Sequence, residues 1–102
     1  MKIKEGVVMT GLQLQMRDVL IAADQIWKDA GQELVVTEGT GGTHSAGSLH
    51  YYGYALDLRS RDFSLAELND VVDKLNKALG SYYNVVVHNT HIHVEYDKAK
   101  YL

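Results

Sequence analysis

The sequence of 102 residues contains no cysteine and no proline. Without cysteine, the chain can form neither a disulfide framework nor a thiolate metal site, so a bound metal would need nitrogen and oxygen ligands. Without proline, its turns depend on nine glycines. Five of the nine lie between Gly39 and Gly53, which makes this segment a candidate functional loop.

The chain also lacks any run of like charge and any long apolar stretch. Ten Lys and Arg against thirteen Asp and Glu give a net charge of -3, which disfavours a nucleic-acid or anionic-membrane partner. No stretch reaches the ~18 to 20 apolar residues that span a bilayer. Met1–Thr10 lacks the apolar core of a secretion signal. We therefore expect cytoplasmic synthesis without a signal peptide, and no membrane partner.

The length and the 46% hydrophobic content suit one domain over residues 1–102. Apolar residues recur at three- and four-residue intervals from Gly11 to Ala30, which predicts an amphipathic helix. A second helix is predicted from Ser64, which forms a capping-box pattern with Glu67, to Gly80. Its inward side chains are expected to be Leu65, Leu68, Val71, Val72, Leu75 and Leu79.

Short runs that suit strands lie between and around these helices. The four predicted strands are Glu33–Thr37, Tyr54–Arg59, Tyr83–Val87 and His91–Tyr96. Ile3–Val8 is a further candidate. Only residues 88–90 separate the last two runs, which predicts a hairpin. We expect an α+β domain with a small, mainly antiparallel sheet and two helices on one face, which leaves the other face free for chemistry.

The five histidines all follow residue 43, in two clusters. They are His44, His50, His88, His91 and His93. A single histidine is more often a structural residue than a metal ligand, but two clusters favour a functional site. Because strand side chains alternate, His91 and His93 share one face about 7 Å apart, opposite Ile92 and Val94.

Asp57 is a lone carboxylate in an apolar strand. A buried carboxylate needs a cation or hydrogen-bond donors, and a loop amide, Arg59 or Arg61 could supply them. Alternatively, two histidines and one aspartate with an open fourth position suit a catalytic zinc, which lowers the pKa of its water to roughly 7. The same ligands suit non-haem iron(II), so ligand type alone leaves both metals open.

The segment Ser48–Asp57, SLHYYGYALD, resembles the S-x-H-x-x-G-x-A-x-D motif of the zinc D-alanyl-D-alanine carboxypeptidase family, which includes phage endolysin peptidases. Val36–Gly39, His44–Ser45, Ser48–Tyr51 and His91–His93 resemble even more closely the signalling domain of hedgehog proteins, which shares that fold. The resemblance covers roughly residues 12 to 97 in element order and implies a hedgehog/D-Ala-D-Ala peptidase-like fold.

The resemblance implies that His50, Asp57 and His93 are the ligands of one zinc ion per chain, so the iron interpretation recedes. In many relatives a glutamate shortly before the final ligand is the catalytic base. Residues 87–90 contain no acid here, and His88 falls in that place. The spacing of His88, His91 and His93 is similar to the three-histidine end of the penicillin-insensitive murein endopeptidases. We expect His91 or His88 to be the base and to stabilise the oxyanion.

Three other residues are expected beside the metal or the substrate. His44 matches a histidine near the metal in hedgehog domains, where it faces the substrate or ties down the glycine loop. Ser48 is expected to hydrogen-bond a ligand or a loop amide, and Glu95, on the face of His93, to orient an imidazole. The hedgehog calcium site does not carry over, because Glu38 is followed by Thr40–Thr43 without further acids. We expect no calcium.

The resemblance implies a zinc metallopeptidase that hydrolyses a short peptidoglycan stem or cross-link peptide at a D-amino-acid-containing bond, as a carboxypeptidase or an endopeptidase. We expect a monomer whose partner is the peptidoglycan peptide. A phage-encoded lysin that acts on the cell wall after release, a virion-associated lytic enzyme and an exported host protein all fit. The missing glutamate favours the alternative, a catalytically silent, hedgehog-like zinc-containing binding module. A metal-dependent nuclease is disfavoured because the chain has no basic surface.

Overall fold

A computed structural model describes residues 1–98, and its apolar core is shared between two helices and a sheet. Helix α1 spans Gln15–Asp29 and buries one stripe of side chains, namely Met16, Val19, Ala23 and Trp27. It begins four residues later than the predicted Gly11, because turns occupy most of residues 10–14. No side chain caps this helix at Leu14.

Helix α2 spans Leu65–Leu79 and begins with the predicted capping box. Ser64 Oγ accepts the Glu67 amide at 3.2 Å, and Glu67 Oε1 accepts the Ser64 amide at 2.9 Å. Val71 and Leu75 are buried, and the remaining predicted side chains except one pack against the core. The exception is Leu65, which is 74% exposed. The prediction was wrong there because Leu65 lies in the first turn, beside the solvent-exposed cap.

The sheet has five strands, which are β1 (Lys2–Ile3), β2 (Val35–Glu38), β3 (Ala55–Arg59), β4 (Tyr83–Val87) and β5 (His91–Tyr96). Their order across the sheet is β1-β2-β3-β5-β4. β1 runs parallel to β2, and the other three neighbouring pairs are antiparallel. The predicted α+β class is therefore confirmed, with a mixed sheet. The further candidate Ile3–Val8 is wrong beyond Ile3, since the paired strand ends there.

One face of the sheet carries the helices and the core. Leu56 and Leu58 of β3, with Ile92 and Val94 of β5, are completely buried in one hydrophobic cluster. Trp27 of α1 belongs to the same cluster and donates its indole N–H to the carbonyl of residue 59 at 3.0 Å. The helices are thereby held against the middle of the sheet.

The opposite face presents polar side chains in cross-strand pairs. In the β3–β5 register Ala55 lies opposite Glu95, Asp57 opposite His93, and Arg59 opposite His91. In the β4–β5 register Asn84 lies opposite Glu95. The alternation of the two central strands therefore separates an apolar face from a histidine- and acid-rich face.

Among residues 1–98, no helix has the length and apolar character needed to cross a membrane. The predicted domain covers residues 1–102, of which 99–102 lie outside the described residues.

Candidate metal centre

A short 3₁₀ turn, Leu49–Tyr52, places the His50 side chain against Asp57 and His93 on the open face of the sheet. Ser48 caps this turn, because its Oγ accepts the His50 amide at 3.2 Å. Gly53 ends it with a φ of 80°, a left-handed conformation that favours glycine. The His50 side chain is buried, and its Nδ1–H donates to the Gly39 carbonyl at 2.7 Å. Nε2 is therefore left as the acceptor that faces the sheet.

Asp57 and His93 come from the two central strands, at directly opposite positions. Asp57 Oδ1 lies 3.1 Å from His50 Nε2 and 3.1 Å from His93 Nδ1. The two imidazole nitrogens are also 3.1 Å apart. One residue on a loop turn and two on adjacent strands thus bring three ligand atoms into an equilateral triangle.

These three side chains form a group that could hold a metal ion. Ligand atoms bound tetrahedrally at about 2.0 to 2.2 Å lie about 3.4 Å from one another, close to the separations in the triangle. With the Nδ1–H of His50 engaged at Gly39 and the Nε2–H of His93 engaged at Glu95, both facing nitrogens present lone pairs. Three acceptors directed at one point require a proton or a cation between them, so the donor set fits a metal.

The charges in the triangle explain its pKa shifts in the metal-free chain. Burial raises the pKa of Asp57, but hydrogen bonds from His50 and His93, which their facing nitrogens donate when the rings are protonated, outweigh burial and hold the pKa well below its usual value. The hydrogen bond to Asp57 raises the pKa of His93, with a further contribution from Glu95, against the lowering by burial. The carboxylate is therefore charged and stabilises a proton on the neighbouring ring.

Glu95 holds the outer edge of the His93 ring. His93 Nε2 donates to Glu95 Oε1 at 2.8 Å, and Asn84 Nδ2 donates to Glu95 Oε2 at 3.0 Å. Both oxygens of this carboxylate are thus engaged on the open face. A carboxylate that accepts from a ligand histidine fixes the orientation of the ring in many metal sites.

His91 and His88 lie on the other side of Asp57. His91 Nε2 is 3.6 Å from Asp57 Oδ2, the carboxylate oxygen that faces away from the triangle. The His88 amide donates to the His91 carbonyl at 2.9 Å, which makes the two residues cross-strand neighbours at the hairpin end. Their rings stack at 4.8 Å. Burial lowers the pKa of His91 despite the opposing attraction of Asp57.

His44 covers the triangle from the glycine loop. Its ring stacks on His50 with centroids 4.0 Å apart, and its Nε2–H donates to the Gly41 carbonyl at 3.0 Å. Tyr51 fixes the His44 backbone, since its hydroxyl oxygen accepts the His44 amide at 2.7 Å. His44 therefore lies beside the candidate metal group and is hydrogen-bonded to the glycine loop.

The group opens to a cavity of about 430 Å³. Its lining residues are Glu38, Thr43, His44, Ser45, Ser48, His50, Asp57, His88, His91 and His93. A second cavity of about 470 Å³ shares Ser45, Ser48 and His93 with the first. The two cavities form an open cleft that passes the candidate metal group.

The structure brings all eight predicted site residues to this open face and cleft. Asp57 pairs with three histidines, His50, His91 and His93, rather than with Arg59, Arg61 or a loop amide. Sequence reasoning missed the carbonyl of Gly39 and the side chain of Asn84. For Asn84 the signal was the hairpin, because a correct register places it opposite Glu95.

The sequence relates Glu38 only to the hedgehog calcium site, which is not expected here. A shift in register after Val36 places Glu38 opposite Asp57 and on the cavity wall. Its Oε2 lies 4.0 Å from His44 Nε2. No simple alternation pattern reveals this position, because the irregularity in β2 changes which face Glu38 shares.

A scan of the chain against models of known protein families finds no match. A search of curated proteins likewise finds no significant match. A functional assignment therefore depends on the geometry of the site and on the motif resemblance.

Proposed function

We propose that this chain is a zinc-dependent peptidase of the D-alanyl-D-alanine carboxypeptidase and hedgehog superfamily. Its proposed substrate is a short peptidoglycan stem or cross-link peptide with a D-amino-acid-containing bond. The observation that carries the proposal is the triangle of His50, Asp57 and His93, with all three separations 3.1 Å, beside an open cleft.

Zinc is the proposed metal, because the donor set suits it and the motif resemblance favours it over iron(II). Two imidazoles and one carboxylate with a side open to solvent are the ligands of catalytic zinc sites, and the motif resemblance favours zinc over iron(II). When bound, zinc supplies Lewis-acid activation of water and of the scissile carbonyl. One ion per chain is expected, because a single group of this kind is found among residues 1–98.

The residues around the triangle supply positioning and proton transfer. His91 is the better placed base, since its Nε2 lies against the outer oxygen of Asp57 and on the cavity wall. His88 stacks on His91 with ring centroids 4.8 Å apart and lines the same cavity, so it is the alternative base. His44, held over His50 by the glycine loop, faces the substrate side of the cleft. The two connected cavities leave room for peptide on both sides of the metal group.

The substrate class comes from the motif resemblance alone. Carboxypeptidase and endopeptidase action both fit, as does a phage-encoded enzyme that reaches the cell wall after release. The partner is the peptidoglycan peptide, and a monomer suffices because every proposed site residue comes from one chain.

The test is metal analysis combined with hydrolysis of purified muropeptides. Wild-type protein should carry one zinc per chain and release new amines or stem fragments. His91→Gln should retain zinc and lose about 10²- to 10⁴-fold in turnover, the usual contribution of a positioned base. His88→Gln is the matched comparison and should lose less, because His91 and not His88 lies against the Asp57 carboxylate.

A catalytically silent binding module is the second candidate. Residues 88–90 lack the carboxylate found in many hydrolytic relatives, which favours it. Full zinc occupancy without any fragment release would establish this alternative and reject the peptidase. Failure to bind zinc would reject both.

A further inference from the structure

The open face contains a hydrogen-bonded row that ends at the candidate metal group. Asn84 on β4 donates to Glu95 Oε2 at 3.0 Å, and Glu95 Oε1 accepts His93 Nε2–H at 2.8 Å. His93 Nδ1 then faces Asp57 Oδ1 at 3.1 Å. The row joins three neighbouring strands, from β4 at the edge of the sheet through β5 to β3 at its centre.

The register of the hairpin produces this row. Asn84 and Glu95 are directly opposite in the β4–β5 pair, while Asp57 and His93 are directly opposite in the β3–β5 pair. Glu95 and His93 are two residues apart on one strand, so their side chains share a face. The backbone register therefore makes these four residues neighbours on one face of the sheet.

A neutral imidazole carries its proton on one nitrogen only, and a hydrogen bond to one nitrogen decides which. An acceptor at Nε2 keeps the proton there and leaves the Nδ1 lone pair for a metal. A carboxylate performs this role only while its oxygen points at the ring. Asn84 engages the second oxygen of Glu95 and so opposes rotation of the carboxylate.

We propose that Asn84 is a positioning residue for the metal centre, which acts through Glu95 to hold His93 in the tautomer and orientation that present Nδ1 to the ion. The inference rests on one part of the proposed function, namely that His50, Asp57 and His93 bind a metal ion. It assigns a role to an edge-strand residue that does not belong to the ligand motif.

The first test measures zinc affinity by competition with a chromogenic chelator. Asn84→Leu removes the donor at similar volume and should weaken zinc binding about 10-fold, the lower end of the loss for a direct partner of a ligand, because Asn84 acts through Glu95. Asn84→Gln retains the amide and should restore part of the loss. Val87→Thr is the matched control, because Val87 is exposed on the same strand but lies opposite Ile92, away from the metal group, and it should leave affinity unchanged.

A double-mutant cycle separates action through Glu95 from a general structural effect. If Asn84 acts through the Glu95 carboxylate, Asn84→Leu should cost little more once Glu95→Gln is already present. Two losses that add independently would overturn the proposal. An unchanged affinity in Asn84→Leu would also overturn it.

The tautomer is measured without metal and without substrate. In ¹⁵N NMR spectra of metal-free protein, recorded at a pH where His93 is neutral, the wild-type ring should be protonated at Nε2. Asn84→Leu should shift the ring towards a mixture of tautomers, and an unshifted spectrum would contradict the proposal. This readout decides the role of Asn84 even if the protein hydrolyses no peptide, so the two proposals fail separately.

Discussion

The two faces of one sheet, each drawn from the same two central strands, differ in almost every physical respect. On β5, Ile92 and Val94 are completely buried beneath the helices, while His91 and His93, at the alternate positions, face the cleft. Both sets of positions are fixed by strand alternation. The apolar set stabilises the fold by burial, and the polar set is held close enough to compete for one proton or one cation. Stability and chemistry thus depend on different side chains of the same strand.

The largest expected effect on stability comes from the apolar face. Ile92→Ala should lower the free energy of unfolding by about 2 to 5 kcal/mol, because it removes buried methyl groups and leaves a cavity. His91→Ala is the control on the adjacent, cleft-facing position and should cost about 1 kcal/mol or less, because it loses contacts with Asp57 and His88 at a partly exposed site. Urea denaturation of metal-free protein measures both. Equal losses would show that the two faces are not energetically distinct.

The next effect concerns the polar face and appears in metal binding. Asp57→Asn should weaken zinc binding by at least about 100-fold, since losing a supporting group alone costs up to that much, which corresponds to about 2.7 kcal/mol. Glu38→Gln, in the same cavity but outside the triangle, should change affinity far less. Calorimetric zinc titration measures both variants. If Glu38→Gln lost as much as Asp57→Asn, Glu38 would have to be counted as a ligand.

The apolar face was largely predictable from the sequence. The bounds of β4 and β5 agree with the runs Tyr83–Val87 and His91–Tyr96, because alternation is a local property. The capping box of α2 was also predictable, because it is a local pattern of two residues three positions apart. Leu65 was misplaced because periodicity identifies a helix face but not where along its length that face meets the core.

The prediction of the metal group depended on both strand alternation and the motif resemblance. The residues that surround the group could be identified only from the folded structure. The sequence indicated that His91 and His93 share a face, but not that Asn84 lies opposite Glu95, because pairing follows from the hairpin register. The approach of Gly39 to His50 joins residues 11 positions apart through a loop. No periodic pattern encodes that contact.

A smaller effect is expected where the loop supports the polar face. A Cβ at Gly39 would overlap the Val8 carbonyl oxygen, so Gly39→Ala should cost about 1 to 3 kcal/mol of stability through local displacement of the backbone. Because Gly39 also accepts the His50 Nδ1–H, the variant should bind zinc more weakly. Gly47→Ala is the control, since nothing lies within 4 Å of its added Cβ. Unchanged zinc binding in Gly39→Ala would show that His50 does not depend on this carbonyl.

The smallest effect concerns the start of α2, on the helix side of the sheet. Ser64→Ala removes the side-chain acceptor of the capping box and should lower the free energy of unfolding by about 1 kcal/mol. Zinc affinity should not change, because neither Ser64 nor Glu67 lines the cleft. Thermal unfolding and chelator competition measure the two properties. A loss of zinc affinity would show that the helix layer and the metal face are coupled.

The pH dependence of the same cap provides a second check. Hydrogen bonds from the backbone and the side chain of Ser64 hold the pKa of Glu67 below its ordinary value of 4.5. A carboxyl group with a lower pKa in the folded state stabilises the fold above the unfolded-state pKa, and this contribution is lost as the pH falls through the folded-state pKa. The difference in Tm between wild type and Glu67→Gln should therefore be larger at pH 7 than at pH 3. An equal difference at both values would mean that the charge of Glu67 contributes nothing to the cap.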